Sequence, residues 1–303
     1  MRILVTGASG LLGLNLCLMQ ASRHDVIGVV HSSTLFNVPF NLRQTDLTLD
    51  GEIERLIDET LPDLVINCAA LAAVDQCEDY PQVAHRLNAY LPGIAAARCD
   101  HHQVPFIHIS TDAVFDGATG GYHETDQPNP LSVYAKTKLE GEKRVMQAHA
   151  RALVARVNFY GHSLSGERSL AEFFLQHLLN GHSVNGFVDV FFSPLYARQL
   201  VEILMSMAEQ GLDGLYHVVC GEKISKYDFG RQIAKRLSLD EGLVLPISYL
   251  DAGLKAKRSP NLFLDISKLQ HTGITLPTID EGLDGFISDF HAGWHTRLQG
   301  YHS

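Results

Sequence analysis

Tyr134 and Lys138 stand four residues apart in Pro130-Leu-Ser-Val-Tyr-Ala-Lys-Thr-Lys-Leu-Glu-Gly-Glu142, a stretch that reads as a helix beginning just after Pro130. Residues at that spacing share a helix face, so a phenol and an ammonium can reach one small volume. A free tyrosine has a pKa of about 10, too high for easy proton exchange near neutrality. A nearby cation favours the phenolate, and each unit of lowering corresponds to about 1.4 kcal/mol. The pair therefore offers an acid for carbonyl chemistry. The same spacing also occurs on ordinary amphipathic helix surfaces, so other motifs must accompany it.

One does. Thr6-Gly7-Ala8-Ser9-Gly10-Leu11-Leu12-Gly13 follows an apolar run and opens a helical one. Glycines three apart permit a tight turn, close approach of backbone to a pyrophosphate, and close helix–strand packing. The helix start then directs unpaired N–H groups and positive dipole at phosphate. Gly7, Ser9, Gly10, Leu11, Leu12 and Gly13 are thus the expected cradle of a dinucleotide. Nicotinamide cofactors differ at the adenosine ribose, which is read just after the second strand. A carboxylate there binds the 2′-hydroxyl of NAD and repels the extra phosphate of NADP. This chain has Val30-His31-Ser32-Ser33 with no acid. His31 and Ser32 can donate to a phosphate, which favours NADP over NAD.

These residues need a frame, and the apolar runs supply it. Arg2–Thr6, Asp25–Val30, Leu64–Asn67, Phe106–Ser110 and Ala152–Val157 are short Val/Ile/Leu-rich segments that suit strands buried on both faces of a parallel sheet. Helical patterns lie between them at Gly10–Ala21, Glu52–Thr60, Gln82–Cys99 and Leu131–His149. The alternation predicts an α/β fold, a Rossmann-type doubly wound parallel sheet. Residues 1–160 are expected to form the dinucleotide-binding domain, with later segments near 187–218 returning to it. Residues 161–303 are expected to form mainly a smaller, discontinuous, interleaved C-terminal substrate lobe. It has helical patterns at Leu170–Asn180, Ala197–Gln210, Lys226–Leu237 and Ile279–Leu298.

Composition narrows the function classes. The chain has 303 residues, 46% hydrophobic and 19% charged, so a well-buried core is expected rather than disorder. A formal net charge of −10 argues against nucleic acid or an anionic membrane as partner. No apolar run reaches the roughly 18 residues of a membrane span. Met1 leads straight into the first strand, leaving no room for a signal peptide, so a cytoplasmic location is expected. The five cysteines, Cys17, Cys68, Cys77, Cys99 and Cys220, form no Cys-x-x-Cys pair and read as buried free thiols. No His or Cys spacing resembles a metal site, so no metal is expected.

The glycine turn, Asn67-Cys-Ala-Ala70, Ser110-Thr-Asp112 and Tyr134-x-x-x-Lys138 together resemble the extended short-chain dehydrogenase/reductases. Leu64-Val-Ile-Asn-Cys-Ala-Ala-Leu-Ala-Ala-Val-Asp-Gln-Cys-Glu78, Ser110-Thr-Asp-Ala-Val-Phe-Asp-Gly117 and Arg258-Ser-Pro-Asn-Leu-Phe-Leu-Asp-Ile-Ser-Lys-Leu269 are similar to stretches of the dTDP-4-dehydrorhamnose reductase-like family. The resemblance covers most of the chain. It implies NAD(P)H-dependent reduction of a nucleotide-linked 4-keto-6-deoxy sugar, with Tyr134 as proton donor, Thr111 hydrogen-bonding the reacting oxygen, and Lys138 holding the ribose and lowering the tyrosine pKa. It further assigns Asp46 and Leu47 to adenine, and Cys68, Ala69 and Ala70 to the strand end beneath the cofactor. Thr111, Asp112, Asn158 and Arg258 fall on the substrate side, and Asn88 on the helix after the fourth strand. A nucleotide sugar is the implied partner, and a homodimer is the implied form of any assembly.

Three departures bear on the substrate. Arg156-Val-Asn-Phe-Tyr-Gly161 replaces a tryptophan pattern and is closer to sugar-nucleotide epimerases. Ala113 stands where the family has tyrosine, and Ser193-Pro-Leu-Tyr-Ala-Arg198 departs from a Pro-Thr and acidic pattern. Some family members bind magnesium through an acid at the position of Asn15, a poorer ligand for a hard cation. A sugar-nucleotide epimerase is thus a second reading. A 4,6-dehydratase fits less well, because Asp112 is followed by Ala113 rather than glutamate. A third reading is a noncatalytic regulatory subunit like the β subunit of methionine adenosyltransferase, which keeps the fold without a defined turnover.

Overall fold

A computed structural model describes residues 1–33, 35–253 and 259–302. Its centre is a seven-stranded sheet built from β1 (Arg2–Thr6), β2 (Asp25–Val30), β3 (Asn41–Gln44), β4 (Leu64–Asn67), β5 (Phe106–Thr111), β6 (Leu153–Val157) and the strand Gly214–Val218. The order across the sheet is Gly214–Val218, β6, β5, β4, β1, β2, β3, and every neighbouring pair is parallel. The Rossmann-type α/β architecture expected from the strand–helix alternation is therefore present.

Alternate residues of a strand point to opposite faces, and both faces here are apolar. Ile3, Val5, Ile66, Ile107 and Ala155 join one buried cluster, which includes Leu14 of the helix Leu11–Gln20 and Leu200 and Leu204 of Ala197–Glu209. Leu4, Val65, Phe106 and Val154 join the other, with Ile53 and Leu56 of Glu52–Thr60, Ala95 of Leu91–His101 and Val145 of Val133–Ala148. Burial on both faces is why these strands read as unbroken hydrophobic runs. β3 is the exception. Asn-Leu-Arg-Gln is polar because this strand closes the sheet edge, and a polar four-residue strand leaves no sequence signal.

Strand order reverses between β1 and β4, and the carboxyl ends of strands at such a switch open a crevice. The glycine turn follows β1, while Cys68–Ala70 follow β4. From residue 159 onward the chain builds short strand pairs: Val184–Phe187 with Val244–Ile247, and Phe191–Phe192 with Ile224–Ser225 and Asn261–Leu262. Tyr160, Phe229 and Phe286 pack edge to face at 4.9 and 5.7 Å. The apolar cluster on that sheet face runs on into these rings. The helix expected over Ile279–Leu298 is two helices, Ile279–His291 and Trp294–Gln299, separated by Gly293 at φ +75°. Among the described residues no helix is long and apolar enough to cross a membrane.

Candidate active site

The turn after β1 has the backbone its glycines predict. Gly7 takes φ +70°, and a Cβ on Gly13 would collide with the Gly7 carbonyl oxygen. The Gly10 N–H donates to Gly7 O at 2.9 Å, which tightens the turn around Ser9. Gly10 caps the helix without a side-chain bond, and the first helical turn carries no acid. The first-turn N–H groups therefore keep their attraction for an anion. A cleft of about 720 Å³ opens against Gly10, Leu11, Leu12 and Gly13, with Cys68, Ala70 and the 71–73 segment on a second side. A dinucleotide fits this arrangement, since Gly10 and Gly13 bring backbone without a Cβ to the cleft wall. Glu167 and Arg168 of the later lobe also line it; no motif flagged them, because they follow a glycine in an irregular stretch.

A second cavity of about 220 Å³ adjoins the cleft and is lined by Thr111, Asp112, Tyr134, Lys138 and Asn158 among others. Cys68, Ala70, Ala72, Ile109 and Phe159 line both spaces. The strand-end, helix and β6-end residues expected near a reacting carbonyl are thus brought together. Ser132 positions the helix Val133–Ala148 by accepting from the Ala135 N–H at 3.2 Å. Tyr134 then falls in the first turn and Lys138 one turn later. Thr111 caps the turn Asp112–Val114, accepting from the Ala113 N–H at 3.2 Å, while its hydroxyl stays within hydrogen-bonding reach of Tyr134.

The electrostatics differ from the expectation of a phenol acidified by lysine. Burial pushes Tyr134 up to about 12, against the lowering effect of the Thr111 hydroxyl, and Asp112 adds to the rise. Lys138 is only 2% exposed, and its Nζ donates to the Ile109 carbonyl at 2.6 Å instead of acting on the phenol. Burial draws Lys138 down to about 8, with Glu142 opposing. Desolvation is the larger effect on both groups, ahead of charge pairing. Asp112, likewise buried, is pushed up to about 6, although Asn158 donates to it at 2.6 Å. Cys68 is raised to about 12 by burial and is no nucleophile.

At the end of β2, His31 lies 3.6 Å from the Asp46 carboxylate. Asp46 accepts from the Thr48 N–H and hydroxyl at 2.9 and 2.6 Å; these bonds, ahead of His31, hold it below its usual range. An acid therefore neighbours the end of β2 after all, delivered by the turn after β3. Ser32 is exposed beside it, and Leu47 is buried in the core. These four line neither cavity. Ala69 donates its N–H to Thr6 Oγ1 at 3.2 Å. Arg258 lies outside the described residues.

Asn88 sits in a π-helical turn, Arg86–Tyr90, within helix 81–101. Its amide holds Leu71 N and O at 2.9 and 3.1 Å and reaches Thr137 at 3.1 Å. It braces the cleft wall against the Tyr134 helix. Asn15 is fully engaged: it donates to Leu11 O at 2.8 Å and His162 O at 3.0 Å, and accepts from the Trp294 indole at 3.1 Å. Among the described residues there is no group of three or more His, Cys, Asp or Glu that could hold a metal. A buried pair unforeseen in the sequence lies beneath the site, where Arg156 Nε and Nη2 donate to the two Glu142 oxygens at 3.0 and 2.8 Å.

Known proteins share this architecture. The chain is 35% identical to the "Probable low-salt glycan biosynthesis reductase Agl14" of Haloferax volcanii, over 94% of this chain and 97% of that protein. It is 30% identical to methionine adenosyltransferase 2 subunit beta of Danio rerio, over 91% and 86%. A crystal structure of dTDP-4-dehydrorhamnose reductase from Bacillus anthracis in complex with NADP superimposes with a TM-score of 0.82 at 25% identity, over 95% and 99%. The profile of the RmlD substrate binding domain matches residues 1–292. The chain belongs to that family, an NAD(P)-dependent oxidoreductase group of the extended short-chain dehydrogenase/reductases.

Proposed function

We propose that this chain reduces the keto group of a nucleotide-linked 4-keto-6-deoxy sugar, using NADP in its reduced form, with NAD as the alternative cofactor that Asp46 beside His31 would accommodate. The observation that carries the reading is the shared wall of the two spaces: the glycine-lined cleft and the cavity of Thr111, Tyr134 and Lys138 meet along Cys68, Ala70 and Ile109. The nicotinamide cofactor, when bound, supplies the hydride to the carbonyl carbon. Tyr134 gives its proton to the carbonyl oxygen as negative charge develops there, and the Thr111 hydroxyl orients that oxygen. A tyrosine held near 12 keeps its proton until the oxygen demands it, which suits the acid role in reduction better than a base role. Lys138 would hold the ribose hydroxyls, and Asp112 and Asn158, which line the same cavity, would meet the sugar. Arg168 lines the same cleft as the helix start and is a candidate to meet phosphate.

A panel of nucleotide 4-keto sugars assayed by loss of reduced-cofactor absorbance tests this. Turnover with at least one is expected. Conversion with no net cofactor consumption would favour the epimerase reading. The likeness to methionine adenosyltransferase 2 subunit beta supports one other reading, a noncatalytic subunit. Copurification with a larger enzyme, and no turnover with any sugar, would favour that. We place the reaction in the cytoplasm, with the nucleotide sugar as partner and a homodimer as the assembly that light scattering would detect.

A further inference from the structure

Below the smaller cavity a line of buried polar groups runs from Lys138 to the strand that carries the glycine turn. Lys138 Nζ lies 3.4 Å from His108 Nε2. His108 Nδ1 lies 3.0 Å from the Asn67 amide nitrogen, and the Asn67 amide oxygen lies 2.6 Å from Thr6 Oγ1. The Ala69 N–H closes the line on Thr6 Oγ1. Lys138, His108, Asn67 and Thr6 are each 2% exposed or less, so a change of hydrogen position at one contact of the line must be answered at the next.

Two arrangements satisfy it. With the Asn67 oxygen accepting from Thr6, the amide nitrogen donates to Nδ1, and the neutral imidazole carries its proton on Nε2. That N–H then points at Lys138 and needs the lone pair of an uncharged amine. For an ammonium at Lys138, Nε2 must be bare, the proton must sit on Nδ1, and the Asn67 amide must turn over. Its oxygen then takes the Nδ1 proton and its nitrogen donates to Thr6 Oγ1, whose own hydrogen turns away from the line. The imidazole itself stays neutral, because burial and the Lys138 charge oppose its protonation. The other titratable groups acting on Lys138 are Glu142 on its own helix and Cys68 at the end of β4, and Tyr134 lines the same cavity. Glu142, though paired with Arg156, still favours the ammonium at Lys138.

We infer that His108 is a positioning residue for Lys138, and that His108 and Asn67 switch tautomer and amide orientation together so that the lysine holds either charge state without leaving the site. The inference rests on the proposed reading only for its catalytic consequence. Its structural core concerns these four side chains alone.

Imidazole nitrogen-15 shifts of the cofactor-free protein, followed from about pH 6 to about pH 10, read the tautomer directly. His108 is expected to carry its proton on Nδ1 at low pH and on Nε2 at high pH, crossing near the Lys138 midpoint of about 8. The crossing should vanish in Lys138→Met. One tautomer throughout the range would overturn the inference, whatever the enzyme does with sugars. In turnover, His108→Leu removes the acceptor, so the alkaline limb of the kcat profile should move about one unit lower. His108→Gln keeps an acceptor and should restore it. Identical limbs in both variants and the parent would also count against the role. Absence of turnover with every sugar would instead refute the reductase reading and leave the nitrogen shifts to decide this one.

Discussion

Asn158 Nδ2 donates to the Asp112 carboxylate at 2.6 Å, tying the end of β6 to the end of β5 at the cavity mouth. The bond does not offset the cost of burying the acid, which remains pushed up to about 6 from 3.8. The folded chain thus holds this proton more tightly than the unfolded chain does. Its contribution is most favourable below about pH 4 and is lost as pH rises towards 6. Asp112→Asn should therefore raise the melting temperature at pH 8, reflecting on the order of 1–3 kcal/mol, with little gain at pH 4. Melting curves at the two pH values check this, and equal gains at both would exclude the burial argument.

Tyr134→Phe removes the proton donor and leaves the ring in place. Turnover should fall roughly 10²–10⁴-fold, while reduced-cofactor affinity from fluorescence titration stays within about threefold. Retained turnover would take Tyr134 out of the acid role.

Glu142 and Arg156 form a bidentate pair with side chains 4% and 3% exposed, and Ser110 donates to the same carboxylate at 2.5 Å. Glu142→Ala leaves a buried guanidinium whose remaining partners among the described residues are His217 at 3.4 Å and the Phe115 ring at 5.0 Å. Losing one partner of such a pair costs about 3–5 kcal/mol. Urea unfolding measures it. A loss below about 1 kcal/mol would place the pair among solvated ones.

Gly13→Ala puts a Cβ into the Gly7 carbonyl. The turn must shift at the point where phosphate would sit, so cofactor affinity should weaken at least about tenfold, or about 1.4 kcal/mol. The sheet beneath is untouched, so circular dichroism should not change. Unaltered affinity would mean that the turn does not hold the cofactor.

How legible was the site? The cleft was readable because its parts are local. Gly7, Gly10 and Gly13 lie within one turn, and Tyr134 and Lys138 within one helix. The strands were readable because burial on both faces demands apolar runs. β3 was not, since an edge strand tolerates Asn41-Leu-Arg-Gln44. Neither was the break at Gly293, where a helical pattern continues across a residue that leaves the helix.

Chain order alone determined the α/β alternation, the glycine turn and the Tyr–Lys face, because each depends on backbone limits or periodicity within a few residues. Tertiary structure decided the charge states. Asp46 meets His31 only when β3 lies beside β2, and Lys138 meets His108 and Ile109 O only when its helix lies on β5. Desolvation is a property of everything packed around a group, so whether Tyr134 is acidified or held at about 12 is not written in its neighbours along the chain.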